Sequence, residues 1–139
     1  MLEGLRFHHI GIAVFSLEET ASMYEKAGYQ RSDSIFDPEQ NVNICWLTKD
    51  NAPLLELLAP VDDLSPVNRI LEKNGVSPYH FCYEADDIEQ ALIELRKQRF
   101  VVVKKPVKAI ALNNSRVAFV FHKNVGLVEL VEAPAIISK

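Results

Sequence analysis

Hydrophobic and polar residues alternate near the start of the chain with the period of two that is typical of a β-strand. The alternation covers residues 7–14. Ile10, Ile12 and Val14 fall on one face of this predicted strand, and His9 falls on the opposite face. One face is therefore suited to a hydrophobic core, and the other face presents a histidine.

The spacing of hydrophobic residues then changes to that of an amphipathic helix. Ser16 and Glu19 form an S-x-x-E capping box at its start, and Gly28 marks its end. A second helix begins in the same way further on, where Asp87 is the capping residue and Gln90 follows three positions later. Its apolar stripe comprises Ile88, Ala91, Leu92 and Leu95. Further strands are predicted at residues 42–48, 54–58, 101–103, 116–122 and 127–131.

The chain contains an internal repeat. The segment that begins at His9 aligns with the segment that begins at His80, at an offset of 71 and without a gap over 22 residues. Further along, "LLELLAP" aligns with "LVELVEAP", which superimposes Glu56 on Glu129 at an offset of 73. Each half therefore predicts a β-α-β-β-β module, and neither module buries its apolar face alone.

The repeat predicts an α+β fold, a single domain over residues 1–139 in which two tandem βαβββ modules form a mixed sheet. Module 1 covers about residues 6–60 and module 2 about residues 77–134. A short linker helix is expected between them, over about residues 64–75, because Ser65–Pro66 favours a helix start and Gly75 a helix end.

Composition and charge exclude several classes of function. The 139 residues carry a formal net charge of −4 with scattered Lys and Arg, so a basic face for nucleic acid is not expected. No apolar run reaches the roughly 18 to 20 residues that cross a bilayer, and the first residues lack a signal-peptide pattern. Cys45 and Cys82 lie far apart and outside any CxxC motif, which is typical of reduced thiols. We therefore expect a soluble cytoplasmic protein with a small-molecule partner, bound to neither nucleic acid nor a membrane.

Two histidines and two glutamates stand out because the repeat relates them in pairs. Glu56 and Glu129 lie in the apolar strands "LLELL" and "LVELV", where an unpartnered carboxylate is costly. Each residue alone has a structural explanation, such as an Arg partner for a glutamate or a hydrogen bond for a strand histidine. Together with His9 and His80, however, they form a nitrogen and oxygen set suited to a divalent transition metal. Co, Ni, Zn, Mn and Fe all fit such a set, so the identity of the ion stays open.

Two neighbouring residues receive a structural interpretation instead. His8 is expected on the face opposite to His9, and its counterpart in the second module is Tyr79 rather than a histidine. Cys82 follows His80 by two positions on the same strand face, where packing in the core is favoured over ligation.

These motifs resemble the vicinal oxygen chelate superfamily. The resemblance rests on "HHIGIAV", "LLELLAP", "PYHFCYEADDI" and "GLVELVE", and it extends over nearly the whole chain. Within the superfamily the chain is most similar to methylmalonyl-CoA epimerases, with the glyoxalase I-like proteins close by. The resemblance implies a cup of paired βαβββ modules with a metal held by His9, Glu56, His80 and Glu129.

The resemblance also implies a reaction, the removal of a proton alpha to a carbonyl. "DPEQNV" (37–42) is similar to the epimerase segment that carries the general base, which points to Glu39. The resemblance implies Glu129 as the second catalytic carboxylate, on the opposite side of the substrate. The substrate implied is an acyl-CoA or another thioester. Residues 108–119 contain no glycine where epimerases are glycine-rich, which favours a different acyl group or carrier.

Two alternatives accompany the epimerase interpretation. The first is a glyoxalase I-like lyase in which Glu56 or Glu129 moves a proton within a glutathione hemithioacetal. The second is a non-catalytic resistance-type binder, which the retained set of four ligands disfavours.

The resemblance also implies a homodimer.

Overall fold

The computed structural model describes residues 3–139, and the strands in this range join one mixed sheet. The strands are β1 (Arg6–Ala13), β2 (Gln30–Arg31), β3 (Ile35–Asp37), β4 (Val42–Thr48), β5 (Leu55–Pro60), β6 (Ser77–Ala85), β7 (Val101–Ala109), β8 (Ser115–His122) and β9 (Gly126–Glu132). The helices are α1 (Leu17–Lys26), α2 (Val67–Asn74) and α3 (Ile88–Lys97), and a 3-10 turn covers Ile110–Leu112.

The two halves of the sheet repeat one another around its centre. The strand order is β2-β4-β5-β1-β6-β9-β8-β7, and β3 pairs with β4. In each half the first strand pairs in parallel with the last, as β1 with β5 and β6 with β9. The antiparallel pair β1–β6 joins the halves. The predicted α+β fold with duplicated modules is therefore confirmed.

The helices begin where the capping motifs predict. The Ser16 hydroxyl accepts a hydrogen bond from the Glu19 amide at 3.1 Å, and the Asp87 carboxylate accepts one from the Gln90 amide at 3.0 Å. The helices contain eight or ten residues, and none within residues 3–139 is long and apolar enough to cross a membrane.

Side-chain alternation along β1 separates two hydrophobic clusters, as the sequence pattern predicts. Ile12 and Val14 pack with Ala21 of α1 on one face of the sheet. Ala13 packs on the opposite face with Trp46, in the cluster that also includes the buried side chains of α2. The second face is the one to which His9 belongs, because its ring contacts Trp46.

Strand β7 is longer than the sequence pattern indicates. The predicted strand ends at residue 103, whereas β7 continues through "KKPVK" to Ala109. Pro106 lies within a break in the register between Lys104 and Val107, and β7 is the last strand in the order of the sheet. Proline and lysine are tolerated in an edge strand because one side of its backbone forms no ladder.

Two β-bulges lie at symmetric positions in the central strand pair. The register of β1 against β6 shifts between Phe7 and His9, which leaves His8 as the extra residue of one bulge. It shifts again at the β6 residue Tyr79, which lies 71 positions after His8. The expectation that His8 points away from His9 is therefore wrong, because a bulge interrupts the alternation of side chains and the two rings are in contact.

Candidate metal centre

The four predicted ligands come together on one face of the sheet. His9 lies on β1, Glu56 on β5, His80 on β6 and Glu129 on β9, and these strands are consecutive in the order β5-β1-β6-β9. Gly11 of β1 pairs with both Glu56 and His80. The symmetric arrangement holds for the other two residues. His9 of β1 pairs with strand β6, and Glu129 lies on β9, the strand on the far side of β6. The duplicated topology therefore makes the residues converge.

The donor atoms lie at distances expected for ligands of one metal ion. His9 Nε2 lies 3.2 Å from Glu56 Oε1 and 3.2 Å from Glu129 Oε1. His80 Nε2 lies 3.4 Å and 3.2 Å from the same two oxygens, and 3.4 Å from His9 Nε2. Tetrahedral ligands about 2.0–2.2 Å from an ion stand about 3.3–3.6 Å apart. The four residues can thus hold one ion without large rearrangement.

The surroundings of the carboxylates also fit a metal. None of the four residues is more than 3% exposed. Within residues 3–139 the two histidines are the only ion-pair partners of Glu56 and Glu129, so the alternative of an Arg partner does not hold. Glu129 Oε1 is buried without a hydrogen-bond partner among these residues, although two imidazole nitrogens lie 3.2 Å away. A cation at the centre would satisfy this oxygen.

The cluster perturbs the pKa values of all its members. Burial by itself lowers the pKa of a histidine, but the carboxylates outweigh burial, raising the pKa of His9 and raising that of His80 to about 9. Burial likewise opposes ionisation of Glu56 and Glu129, but the histidines outweigh it and lower the pKa of both carboxyls. The carboxylates therefore favour the protonated form of both histidines, and the histidines favour the ionised form of both carboxyls.

Metal binding is expected to release protons at neutral pH. A metal ion binds the neutral imidazole, so at neutral pH it must displace the proton that His80 holds below its pKa of about 9. Because the pKa of His80 is about 9, the apparent affinity should rise between pH 7 and pH 9, by up to about tenfold per pH unit for each proton released. Calorimetric titration with Zn²⁺ in buffers of different ionisation enthalpy counts the protons. An affinity that is constant over this range would contradict the assignment.

Two aromatic residues flank the cluster and were not identified from the sequence. The Trp46 ring contacts His9 at 4.9 Å between centroids, and the Phe119 ring contacts His80 at 5.5 Å. Trp46 pairs with Glu56 and Phe119 with Glu129 across neighbouring strands. The offset of 73 that relates Glu56 to Glu129 also relates Trp46 to Phe119. The internal repeat could therefore have identified both aromatic residues from the sequence.

Gly11 provides the space that the His80 ring fills. A Cβ atom at Gly11 would lie 2.1 Å from Cε1 of His80. Cys82 occupies the equivalent position of the second module, where a side chain is accommodated and packs in the core cluster. Burial holds the pKa of the Cys82 thiol well above its usual range, which disfavours the thiolate that binds metal. The interpretation of Cys82 as a packing residue is consistent with this environment.

An apolar cavity of about 340 Å³ lies beside the cluster. Tyr79 and Phe119 line it, and both rings also contact the ring of His80, with centroid distances of 4.6 Å and 5.5 Å. The remaining lining comprises Glu39, Gln40, Val42, Pro66, Val67, Ile70, Val103, Lys104 and Leu127. Its size lies in the range of pockets for small ligands.

Glu39 lies at this cavity rather than in the metal cluster. Its side chain is 57% exposed, and Oε2 lies 3.7 Å from Nζ of Lys104. The buried carboxylate of Asp37 accepts hydrogen bonds from the backbone amides of Glu39 and Gln40, at 2.9 Å and 3.2 Å. These bonds hold the backbone of the turn that carries Glu39 beside the cavity.

Comparison with known proteins places this geometry in a family. The model of the Glyoxalase/Bleomycin resistance protein/Dioxygenase superfamily matches residues 8–119. The mitochondrial methylmalonyl-CoA epimerase of Homo sapiens is 34% identical over 132 residues, which cover 92% of this chain and 74% of that protein. The ethylmalonyl-CoA/methylmalonyl-CoA epimerase of Cereibacter sphaeroides is 32% identical over 129 residues, 90% of this chain and 96% of that one.

A solved structure agrees over almost the full length. A variant of the Streptomyces coelicolor methylmalonyl-CoA epimerase in complex with 2-nitronate-propionyl-CoA has a TM-score of 0.80 and 29% identity, and the match covers 96% of this chain and 98% of that one. The chain therefore belongs to the Glyoxalase/Bleomycin resistance protein/Dioxygenase superfamily. The relatives named above are themselves methylmalonyl-CoA epimerases, one of them also of ethylmalonyl-CoA.

Proposed function

We propose that this protein is a metal-dependent epimerase of methylmalonyl-CoA or a closely related acyl thioester. The observation that carries the proposal is the buried cluster of His9, Glu56, His80 and Glu129 beside an apolar cavity with a carboxylate at its wall. The related epimerases, one of them in complex with an acyl-CoA analogue, support the substrate class.

Glu39 is proposed as the base that removes the proton from C2 of the acyl group. It stands beside the cavity on a turn that Asp37 holds, and a carboxylate within reach of a substrate proton can act as a general base. Lys104 provides a cation at the same wall, suited to a negatively charged group of the substrate. Valine, isoleucine and phenylalanine side chains in the lining would contact the apolar part of the acyl group.

The opposite face of C2 requires a second acid–base group, because epimerisation removes the proton on one side and returns a proton on the other. We assign this role to Glu129, which belongs to the ligand cluster. His9, Glu56, His80 and Glu129 would hold a divalent ion, which would supply Lewis acidity for the negative charge that develops on the thioester oxygen. Glu39 and Glu129 would then hold and deliver protons on opposite sides.

Exchange of the C2 proton tests the proposal directly. Protein loaded with Co²⁺ or Zn²⁺ is incubated with methylmalonyl-CoA in deuterated buffer, and incorporation of deuterium at C2 is followed by mass spectrometry. We expect exchange with the loaded protein and a loss of at least about 100-fold in the metal-stripped protein. A native protein that contains no metal, and whose His9→Ala and Glu129→Ala variants behave normally, would instead indicate a non-catalytic binder.

Glu56 supports one alternative, the glyoxalase I-like lyase. Glyoxalases commonly carry Glu at this ligand position, whereas epimerases can carry Gln. In such a reaction Glu56 or Glu129 would move a proton between adjacent carbons of a glutathione hemithioacetal. Turnover of that hemithioacetal without exchange at C2 of methylmalonyl-CoA would favour the lyase.

The homodimer and the cytoplasmic location stay predictions from the resemblance and from composition. Sedimentation of the purified full chain measures the first, and cell fractionation measures the second.

A further inference from the structure

His8 joins a chain of short contacts that ends at the metal cluster. Nδ1 of His8 lies 2.8 Å from Nδ1 of His9, and Nε2 of His8 lies 2.8 Å from the carbonyl oxygen of Ala135. The His9 ring points its other nitrogen, Nε2, at Glu56 and Glu129. Both nitrogens of His8 are thus engaged, one by the ligand and one by the backbone.

The partners of His8 determine where the protons lie. A carbonyl oxygen can only accept, so the Nε2–H of His8 donates to Ala135. A neutral imidazole with its proton on Nε2 has a lone pair on Nδ1. That lone pair accepts the Nδ1–H of His9, which leaves Nε2 of His9 as the nitrogen with a lone pair for a metal.

We propose that His8 is a positioning residue of the metal centre, which sets the tautomer and the ring orientation of the ligand His9. This inference rests on the proposed metal site and deepens it. A ligand histidine whose second nitrogen is held in this way binds its metal more tightly than one that is free to turn.

The Ala135 carbonyl, which accepts the hydrogen bond from His8, is itself held in place. The amide of Ala135 donates to Oε2 of Glu84 at 2.8 Å, and Glu84 forms an ion pair with Arg6 at 2.8 Å. The amide of Ala133 donates to the carbonyl of Ala85 at 2.8 Å. The segment after β9 is therefore tied to β6, and the Ala135 carbonyl presents a fixed acceptor to His8.

The equivalent position of the second module lacks this arrangement. Tyr79 follows His8 by 71 positions and packs its ring at 85° against His80, with 4.6 Å between centroids. Among residues 3–139, Nδ1 of His80 has no hydrogen-bond partner. The two histidines are thus related by symmetry, whereas in the described part of the chain only His9 has a hydrogen-bond partner at Nδ1. Tyr79 consequently offers a matched control position.

Substitution of His8 by Gln or Phe separates positioning from packing. The Gln amide can accept from His9 and donate to Ala135, whereas Phe fills the space and does neither. Metal dissociation constants are measured by competition with a chelator of known affinity, using Zn²⁺ and Co²⁺ on the full chain. We expect binding about 10- to 100-fold weaker in H8F, and within about threefold of wild type in H8Q and in the control Y79F.

Three results would count against the proposal. H8F with wild-type affinity would show that the contact does not support the ligand. Equal weakening in H8F and H8Q, with equally lowered melting temperatures of the metal-free proteins, would reduce His8 to a packing residue. A wild-type protein that binds neither ion would overturn the metal centre itself, and with it the role of His8. Failure of the metal site is thus distinguishable from failure of the positioning role, in which the wild-type protein still binds metal.

Discussion

Replacing Glu39 by Gln should lower the rate of C2 proton exchange in methylmalonyl-CoA by about 10²- to 10⁴-fold, the usual effect of losing a general base. The amide keeps the shape of the side chain but cannot take up the proton. Metal affinity should stay unchanged, because Glu39 lies at the cavity wall and contributes no atom to the ligand cluster. Exchange followed by mass spectrometry, together with a metal titration of the same sample, measures both quantities.

The matched control is Glu72→Gln, which removes the same charge from an exposed position on α2. This variant should exchange the C2 proton at the wild-type rate. If E39Q exchanges as fast as wild type while holding its metal, Glu39 is not the base. The acid–base role would then pass to the carboxylates of the cluster.

Replacing Gly11 by Ala should weaken metal binding by at least about tenfold, comparable to the loss of a residue that orients a ligand. The new Cβ would occupy the position of the His80 ring, 2.1 Å from Cε1, so His80 must move away from its three partners. Overpacking of this kind also costs about 1–3 kcal/mol of folding free energy. Chelator competition gives the affinity, and thermal denaturation of the metal-free protein gives the change in stability.

Cys82→Ala is the control for Gly11→Ala, because Cys82 lies at the equivalent position beside His9. It shortens a side chain that the site already accommodates, so His9 keeps its place and the affinity should stay within a few-fold of wild type. The stability should fall modestly, since a buried sulfur is lost. Wild-type affinity in G11A would mean that His80 can ligate from another orientation.

Much of the site was predictable because its residues lie on regular strands. Alternation along β1 places His9 on a definite face, and the repeat transfers that placement to His80 without knowledge of the structure. The positions of Glu56 and Glu129 in apolar strands indicate burial, since both are surrounded by hydrophobic neighbours in sequence. The structure brings these four residues together, and their roles as ligands stay a prediction that the titrations test.

Other features depended on contacts between distant segments. The contact of His8 with His9 needs a β-bulge, and its acceptor at Ala135 lies 127 residues away in sequence. Glu39 received its role only from the resemblance, because "DPEQNV" by itself favours an exposed loop carboxylate before a strand. The cavity beside it is built by side chains from separate strands and from α2, a combination that no local pattern encodes.

The sequence by itself determined the duplicated module, the helix starts and the four residues that face one another, because hydrophobic periodicity and capping are local and the repeat carries them from one half to the other. Only the tertiary structure decided how closely the four donor atoms approach, where the His80 ring finds room over Gly11, and what supports His9. These depend on strand register, bulges and the path of the last residues, which arise when segments far apart in the chain pack together.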